Sequence, residues 1–375
     1  MSIAVGPSDY GMLGSLIANA SSVKQKLDTL TNQASTGLIG DTYAGLGTGA
    51  PIALNLQPQM ANLRTWQNNV DAATGRMTVT QTAMTNIQSI AASFYAQLNT
   101  VDGINASAVD SIAASARDAL SQVASQLDTQ NGGVYVFAGQ DTNTAPVPDP
   151  DNILTSGFYT KINAAVTAFN GVVPNDAVGT ANATFGIATS NLAGTSPFSA
   201  NSSQSATALR AQLPTVQVGQ NSTEKIGLLA SANALIPASP PGQPAIPGGP
   251  ATSTGSYMRD VLRALATMGS LSSSQVNTSG FQALVQDTRT SMSGAITAMA
   301  QDVGVLGNTQ SSLTTTQSQL ADTQTALTGQ VTSAEDVDMA KTMSQLSLVQ
   351  TQMQASYQLI ATMSSLSLVK FLPVS

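Results

Sequence analysis

The acidic run Glu335-Asp336-Val337-Asp338 sets three carboxylates within four residues, a donor set that a hard cation could use. The same run precedes a segment of helical periodicity. There negative charge suits the positive end of a helix dipole, so capping is the simpler use. Gly45-Leu46-Gly47-Thr48-Gly49 has the glycine density of a phosphate loop. It lacks the Lys-Ser/Thr pair and follows no strand, and it reads as a flexible connector. Met339, Met343, Met353 and Met363 could form a soft-metal or adaptable groove, yet their helical spacing makes them packing residues. Tyr135 and Phe137 alternate with Val134 and Val136, the pattern of sheet pairing rather than of a platform for stacking bases. Glycosidase-type carboxylate pairs remain possible among Asp149, Asp151, Asp176 and Glu224, but these positions are linker-like.

Composition narrows the chemistry further. The 375 residues include no His and no Cys. This removes the usual general base, the Ser-His-Asp arrangement, most transition-metal sites, thiol nucleophiles and disulfides. No catalytic, cofactor-binding or metal-ligating residue is assigned, and the chain is read as a non-enzyme without cofactors. Only 9% of residues are charged, the net charge is −7, and the thirteen Lys and Arg do not cluster. Neither nucleic acid nor a membrane is expected as a partner. No window offers the run of about eighteen apolar residues that a membrane span needs. No basic segment precedes the short apolar run near Leu13, so export without a cleaved signal peptide is expected.

The elements that would position these residues are long helices at both ends. Of sixteen prolines, twelve fall between Pro146 and Pro250 and none in residues 8–50, 59–145 or 251–372. Leu13, Leu16, Ala20, Val23, Leu27, Leu30 and Ala34 step by three and four, predicting a first helix over about 8–35 that stops at Gly37. A second ladder runs from Leu63 through Trp66, Val70, Met77, Met84, Ile87 and Phe94 to Val101, ending at Asp102-Gly103. A third carries Val109 to Leu127. Helix resumes near Tyr257 and from Phe281, with Leu306, Leu313, Leu320 and Leu327 spaced by seven. Gly329 and the cap-like Thr332-Ser333-Ala334-Glu335 predict a break. The last helix carries Met339, Met343, Leu346, Met353, Tyr357 and Ile360, with Gln350 the polar member of that stripe. Each narrow terminal stripe needs another helix to cover it.

The fold class expected is mainly α: a long antiparallel helical bundle or coiled coil formed by both chain ends, with a small β-rich inserted domain. The expected domains are 1–36 with 336–375, 37–145 with 255–335, and a β-rich insertion over 146–254 that includes a Pro-rich linker at 237–250. Helices that lack a covered face are not stable alone in water. Residues 1–36 and 336–375 are therefore expected to be disordered or protease-sensitive in the free chain and helical once assembled.

Several short stretches carry a resemblance. Leu30-Thr31-Asn32-Gln33-Ala34-Ser35-Thr36-Gly37 is similar to the end of the first helix in bacterial flagellins, and Glu335-Asp336-Val337-Asp338-Met339-Ala340 to their acidic start of the terminal helix. Tyr135-Val136-Phe137-Ala138-Gly139, followed by Asp141-Thr142-Asn143-Thr144-Ala145-Pro146, resembles the hook-associated members that join hook to filament. The ending Leu366-Ser367-Leu368-Val369-Lys370-Phe371-Leu372 resembles them too. Where many relatives carry an Asp-Asp-Pro-Ala type stretch, this chain has Tyr43 to Gly49.

The resemblance implies an extracellular part of the flagellum, exported by the flagellar type III route. It implies self-association in a ring, with a hook-side junction protein and filament flagellin as neighbours and an export chaperone on the C-terminal helix. A filament-forming flagellin is the alternative; a non-flagellar coiled-coil secretion or signalling protein is less favoured. The expected assembly interface is Leu13, Leu16, Val23, Leu27, Leu30, Met339, Met343, Leu346, Met353, Tyr357 and Ile360.

Overall fold

The computed structural model describes residues 8–101, 105–231 and 244–369. Asp102-Gly103, the first part of the Pro-rich linker and Lys370 to Leu372 lie outside them. The chain forms two compact units, residues 1–64 with 321–375 and residues 65–320.

In the first unit, α1 (Ser8–Thr36) ends where expected. Gly37 takes a φ of +77° and donates its N–H to the Gln33 carbonyl at 2.9 Å, the left-handed closure that glycine makes at least cost. A 3₁₀ turn, Tyr43–Gly49, follows. The next helix, α2 (Ala50–Leu98), begins earlier than the ladder suggests and keeps Pro58 inside it. Pro51 falls in its first turn, where an N–H has no intrahelical partner to lose. The long helix α8 (Phe281–Glu335) runs straight through Gly329, so Thr332 to Glu335 form its last turn and do not cap the start of a new helix. A glycine costs a helix only about 1 kcal/mol, which the buried Leu306, Leu313, Leu320 and Val331 offset. The break comes after Glu335. Asp338 caps the final helix, α9 (Met339–Val369), accepting from the Lys341 N–H at 3.0 Å.

In the second unit the long ladder is a buried face. Val70, Met77, Thr80, Met84, Ile87, Ala91 and Leu98 of α2 are fully covered, as are Leu120, Val123 and Leu127 of α3 (Ala106–Leu127). A tight hairpin then joins β1 (Gln130–Asn131) to β2 (Val134–Tyr135), antiparallel, with Gln130 opposite Tyr135. Its two-residue turn is Gly132-Gly133, both at positive φ, as a type I′ turn demands.

The mainly-α class holds, but the insertion departs from the expectation in its make-up. Among the described residues, 146–254 carry three α-helices, α4 (Gly157–Thr167), α5 (Ala177–Thr189) and α6 (Ala206–Ala211). Among the described residues their β content is one hairpin, β3 (Thr215–Gln217) with β4 (Thr223–Lys225), Val216 opposite Glu224. Local propensity misleads here because five of the thirteen residues of α5 are Gly or Thr. Its small face (Ala177, Thr180, Ala181, Thr184, Ala188) is buried, and burial outweighs weak helix propensity. The start signals were nonetheless present: Ser156, Asp176 and Ser205 each cap a helix through the side chain.

At the centre of this unit lies α7 (Tyr257–Gly269), every residue of which is buried. It packs against α3, α4 and α5.

Candidate assembly interface

The terminal helices find each other: α1 packs along α9. Both leave a common point, α1 toward the N-terminus and α9 toward the C-terminus, so they run antiparallel. That point is a small backbone clasp. Ile39 donates to the Glu335 carbonyl at 2.7 Å and Val337 to the Gly37 carbonyl at 2.9 Å, making an antiparallel bridge of Leu38 with Asp336. Beside it, Gly49 lies so near the Ala334 carbonyl that an added Cβ would sit 2.5 Å from the oxygen. This contact, not a ligand, accounts for a glycine there. Gly45 likewise meets Gly40, whose own added Cβ would stand 2.8 Å from the Gly45 backbone.

On α1 the covered positions along the ladder are Leu16, Ala20, Val23, Leu27 and Ala34, half-buried, with Leu30 only 5% exposed; Gln33, also half-buried, donates to the Ile39 carbonyl at 2.8 Å. Leu13 sits in α1, but its side chain lies outside the described residues. On α9 the covered face is Thr342, Leu346, Val349, Met353, Ser356 and Ile360. The stripe expected from sequence is thus split. Leu346, Met353 and Ile360 belong to the covered face, whereas Met339, Met343 and Tyr357 are 44%, 54% and 53% exposed. Leu348 and Leu359, which the sequence reading passed over, are also exposed. With about 100° between successive residues, these two lie on the flank of α9 opposite Met339, Met343 and Tyr357. Apolar residues therefore surround α9, and no single face stands out in its sequence. The partner helix selects the one that is covered, and it admits two hydroxyl residues that a hydropathy pattern would not choose.

The candidate chemical groups are used locally. Asp338 is a helix cap, Asp336 belongs to the bridge, and Glu335 supplies its backbone carbonyl. Asp149 accepts from Asn152, Asp176 caps α5, and Glu224 lies in the β3–β4 hairpin. Among the described residues no group of three acidic side chains is placed to hold a metal, and no helix is long and apolar enough to cross a membrane. Phe137 is fully buried, and Tyr135 pairs in the hairpin.

What sequence reasoning missed is a polar interior around α7. Arg263 and Asp287 form an ion pair at 3.3 Å with side chains 2% and 3% exposed. Arg259 donates to the carbonyls of Ala188, Ser190 and Ser231 and to the Asn191 side chain, and it lies over the Phe198 ring. Asp260 accepts from Ser253 and Thr254, and the Tyr257 hydroxyl donates to Asp302. Burial pushes the Asp260 and Asp287 carboxyls up, opposed at Asp260 by the hydrogen bonds from Ser253 and Thr254 and at Asp287 by the Arg263 charge. Two helix ends are closed by arginines. Arg289 donates to the Leu98 carbonyl at 2.8 Å, and Arg117 to that of Gly269 at 2.7 Å. Much of the scarce positive charge is thus spent on holding loops and helix ends rather than on the surface. The sequence signal was Arg259-Asp260 and Arg263 interleaved with apolar residues, a pattern that reads equally well as a solvated face.

Comparison with known proteins follows the same two ends. Residues 8–142 match the bacterial flagellin N-terminal helical region and residues 290–372 the bacterial flagellin C-terminal helical region, together more than half of the chain. No curated protein matches the chain. A solved structure of a putative flagellar hook-associated protein from Vibrio parahaemolyticus is similar at 11% identity and a TM-score of 0.48, covering 78% of this chain and 98% of that one. At that score the likeness adds nothing to the assignment, which rests on the terminal matches. The chain belongs to the bacterial flagellin family, whose members are structural, self-associating components of the extracellular flagellum.

Proposed function

We propose that this chain is the adaptor that joins hook to filament, its terminal helices packing axially with neighbouring subunits. The observation that carries the reading is α9. One face is covered by α1, while Met339, Met343, Leu348, Tyr357 and Leu359 stay exposed on its flanks. Apolar surface on two further sides of one helix fits a subunit enclosed by others, because soluble monomers rarely leave such area open. The low charge suits this packing, since identical subunits side by side bring like charges together. The Tyr135 to Gly139 stretch, similar to that of the hook-associated members, favours the junction over the filament itself.

On this reading the protein forms a ring, meets a hook-side junction protein on one side and filament flagellin on the other, and travels through the flagellar type III channel with its N-terminus uncleaved. An export chaperone covers the C-terminal helix beforehand. The assembly residues are the exposed Met339, Met343 and Tyr357, the seam residues Leu16, Val23, Leu27, Leu30, Leu346, Met353 and Ile360, and Leu13. Immunogold labelling of purified hook–filament preparations tests it: label confined to the junction is expected. Label along the whole filament, at high copy number, would establish the filament-forming alternative instead.

A further inference from the structure

The clasp and the helix seam keep a constant offset: the first seam pair, 34 with 342, lies three residues from Gly37 and five from Val337. In the clasp Gly37, Leu38 and Ile39 stand opposite Val337, Asp336 and Glu335. Counting outward from it, the covered positions of α1 fall at 34, 30, 27, 23, 20 and 16, and those of α9 at 342, 346, 349, 353, 356 and 360. The steps are the same in the same order, four, three, four, three, four. The seam alone does not select this alignment. A shift of seven residues along either helix restores the same spacing, and Ala20, Ala34 and Ser356 are too small to act as keys. Among the described residues no ion pair joins the two helices, since the ion pair present is Arg263 with Asp287. Charged side chains, which commonly fix register in helix pairs, are almost missing from α9, where Lys341 stands alone among the described residues.

We propose that the clasp sets the axial register of the terminal helix pair, placing Leu27 against Val349 and Leu16 against Ile360. Its two backbone hydrogen bonds fix residue against residue, and no slip of the helices by a rung is compatible with both. There is no slack on either side. Gly37 closes α1 in the residue after its end, and Asp338 caps α9 one residue beyond Val337. A seven-residue slip would displace the helices by about 10 Å, far more than the clasp can stretch. The assignment holds for a junction or a filament component alike.

The cysteine-free chain allows a direct test in the purified full-length protein. Duplicating Met339–Gln345 within α9 adds two rungs while preserving the spacing. With the clasp in control, Val349→Cys then faces Ala20→Cys, and a short bis-maleimide links that pair while the Leu27→Cys/Val349→Cys pair, linked without the duplication, falls to background. Persistence of the Leu27–Val349 link, with the added rungs looped out, would overturn the proposal. So would failure of the Leu27→Cys/Val349→Cys pair to link in the unduplicated chain. As a second variant, Ile39→Pro with Val337→Pro removes both clasp donors. In the duplicated chain it should bring back the Leu27–Val349 link beside the shifted one, and a register unchanged by it would also refute the clasp's role.

Discussion

An aspartate placed at Met343 and one placed at Val349 should separate assembly from folding. The two residues lie on the same helix, less than two turns apart, but on different sides of it. Val349 is 2% exposed against α1. Removing a buried Val loses about 1.5–3 kcal/mol, and an unpaired carboxylate in its place adds several more. Val349→Asp should therefore open the α1–α9 pair, visible as lost helicity by circular dichroism and rapid proteolysis of both ends. Met343 is 54% exposed in the single chain, so Met343→Asp should change its stability by no more than about 0.5 kcal/mol. In an assembly the exposed half of this side chain becomes buried, worth about 0.8–1.5 kcal/mol on the same scale. Met339 and Tyr357, 44% and 53% exposed, add similar amounts, giving about 2–5 kcal/mol per subunit. Desolvating an introduced carboxylate forfeits more than that whole sum. Met343→Asp should thus leave a helical, protease-resistant chain that is absent from purified flagella and gives non-motile cells. Normal incorporation of Met343→Asp, or a Val349→Asp chain with intact ends, would refute the division of α9 into covered and assembling faces.

Other expectations concern the interior. Asp287→Ala strands the buried Arg263 charge and should cost about 3–5 kcal/mol in thermal unfolding, whereas Arg263→Met with Asp287→Leu should recover most of it. Burial pushes the Asp128 carboxyl up to about 6, with the Val147 N–H bond opposing. Its contribution is therefore fully present below the ordinary carboxylate range and is lost as pH rises through about 6. Asp128→Asn should flatten that part of the stability profile between pH 4 and pH 7, as followed by melting temperature. Gly49→Ala pushes a methyl into the Ala334 carbonyl and should destabilise the first unit by about 1–3 kcal/mol, measured by denaturant unfolding.

The sequence by itself determined the helices that bury a continuous face. Leu63 to Val101 and Leu306 to Leu320 are legible because each residue's spacing repeats the helix period, a property of the chain alone. Gly37 was legible for the same kind of reason: a helix stop there asks for left-handed backbone whatever surrounds it. Tertiary structure decided what depends on a neighbour. The covered face of α9 runs through Thr342, Val349 and Ser356 because α1 lies there, and α9's own apolar residues point in every direction. Within the insertion α5 forms because its small face is buried, against the preference of its Gly and Thr. Arg259, Asp260 and Arg263 look like a solvated face in the sequence. They are interior because segments distant in sequence bring partners to them: the end of α5 and the loop after it supply carbonyls to Arg259, and α8 supplies the Asp287 carboxylate to Arg263; no local pattern records the arrival of those partners.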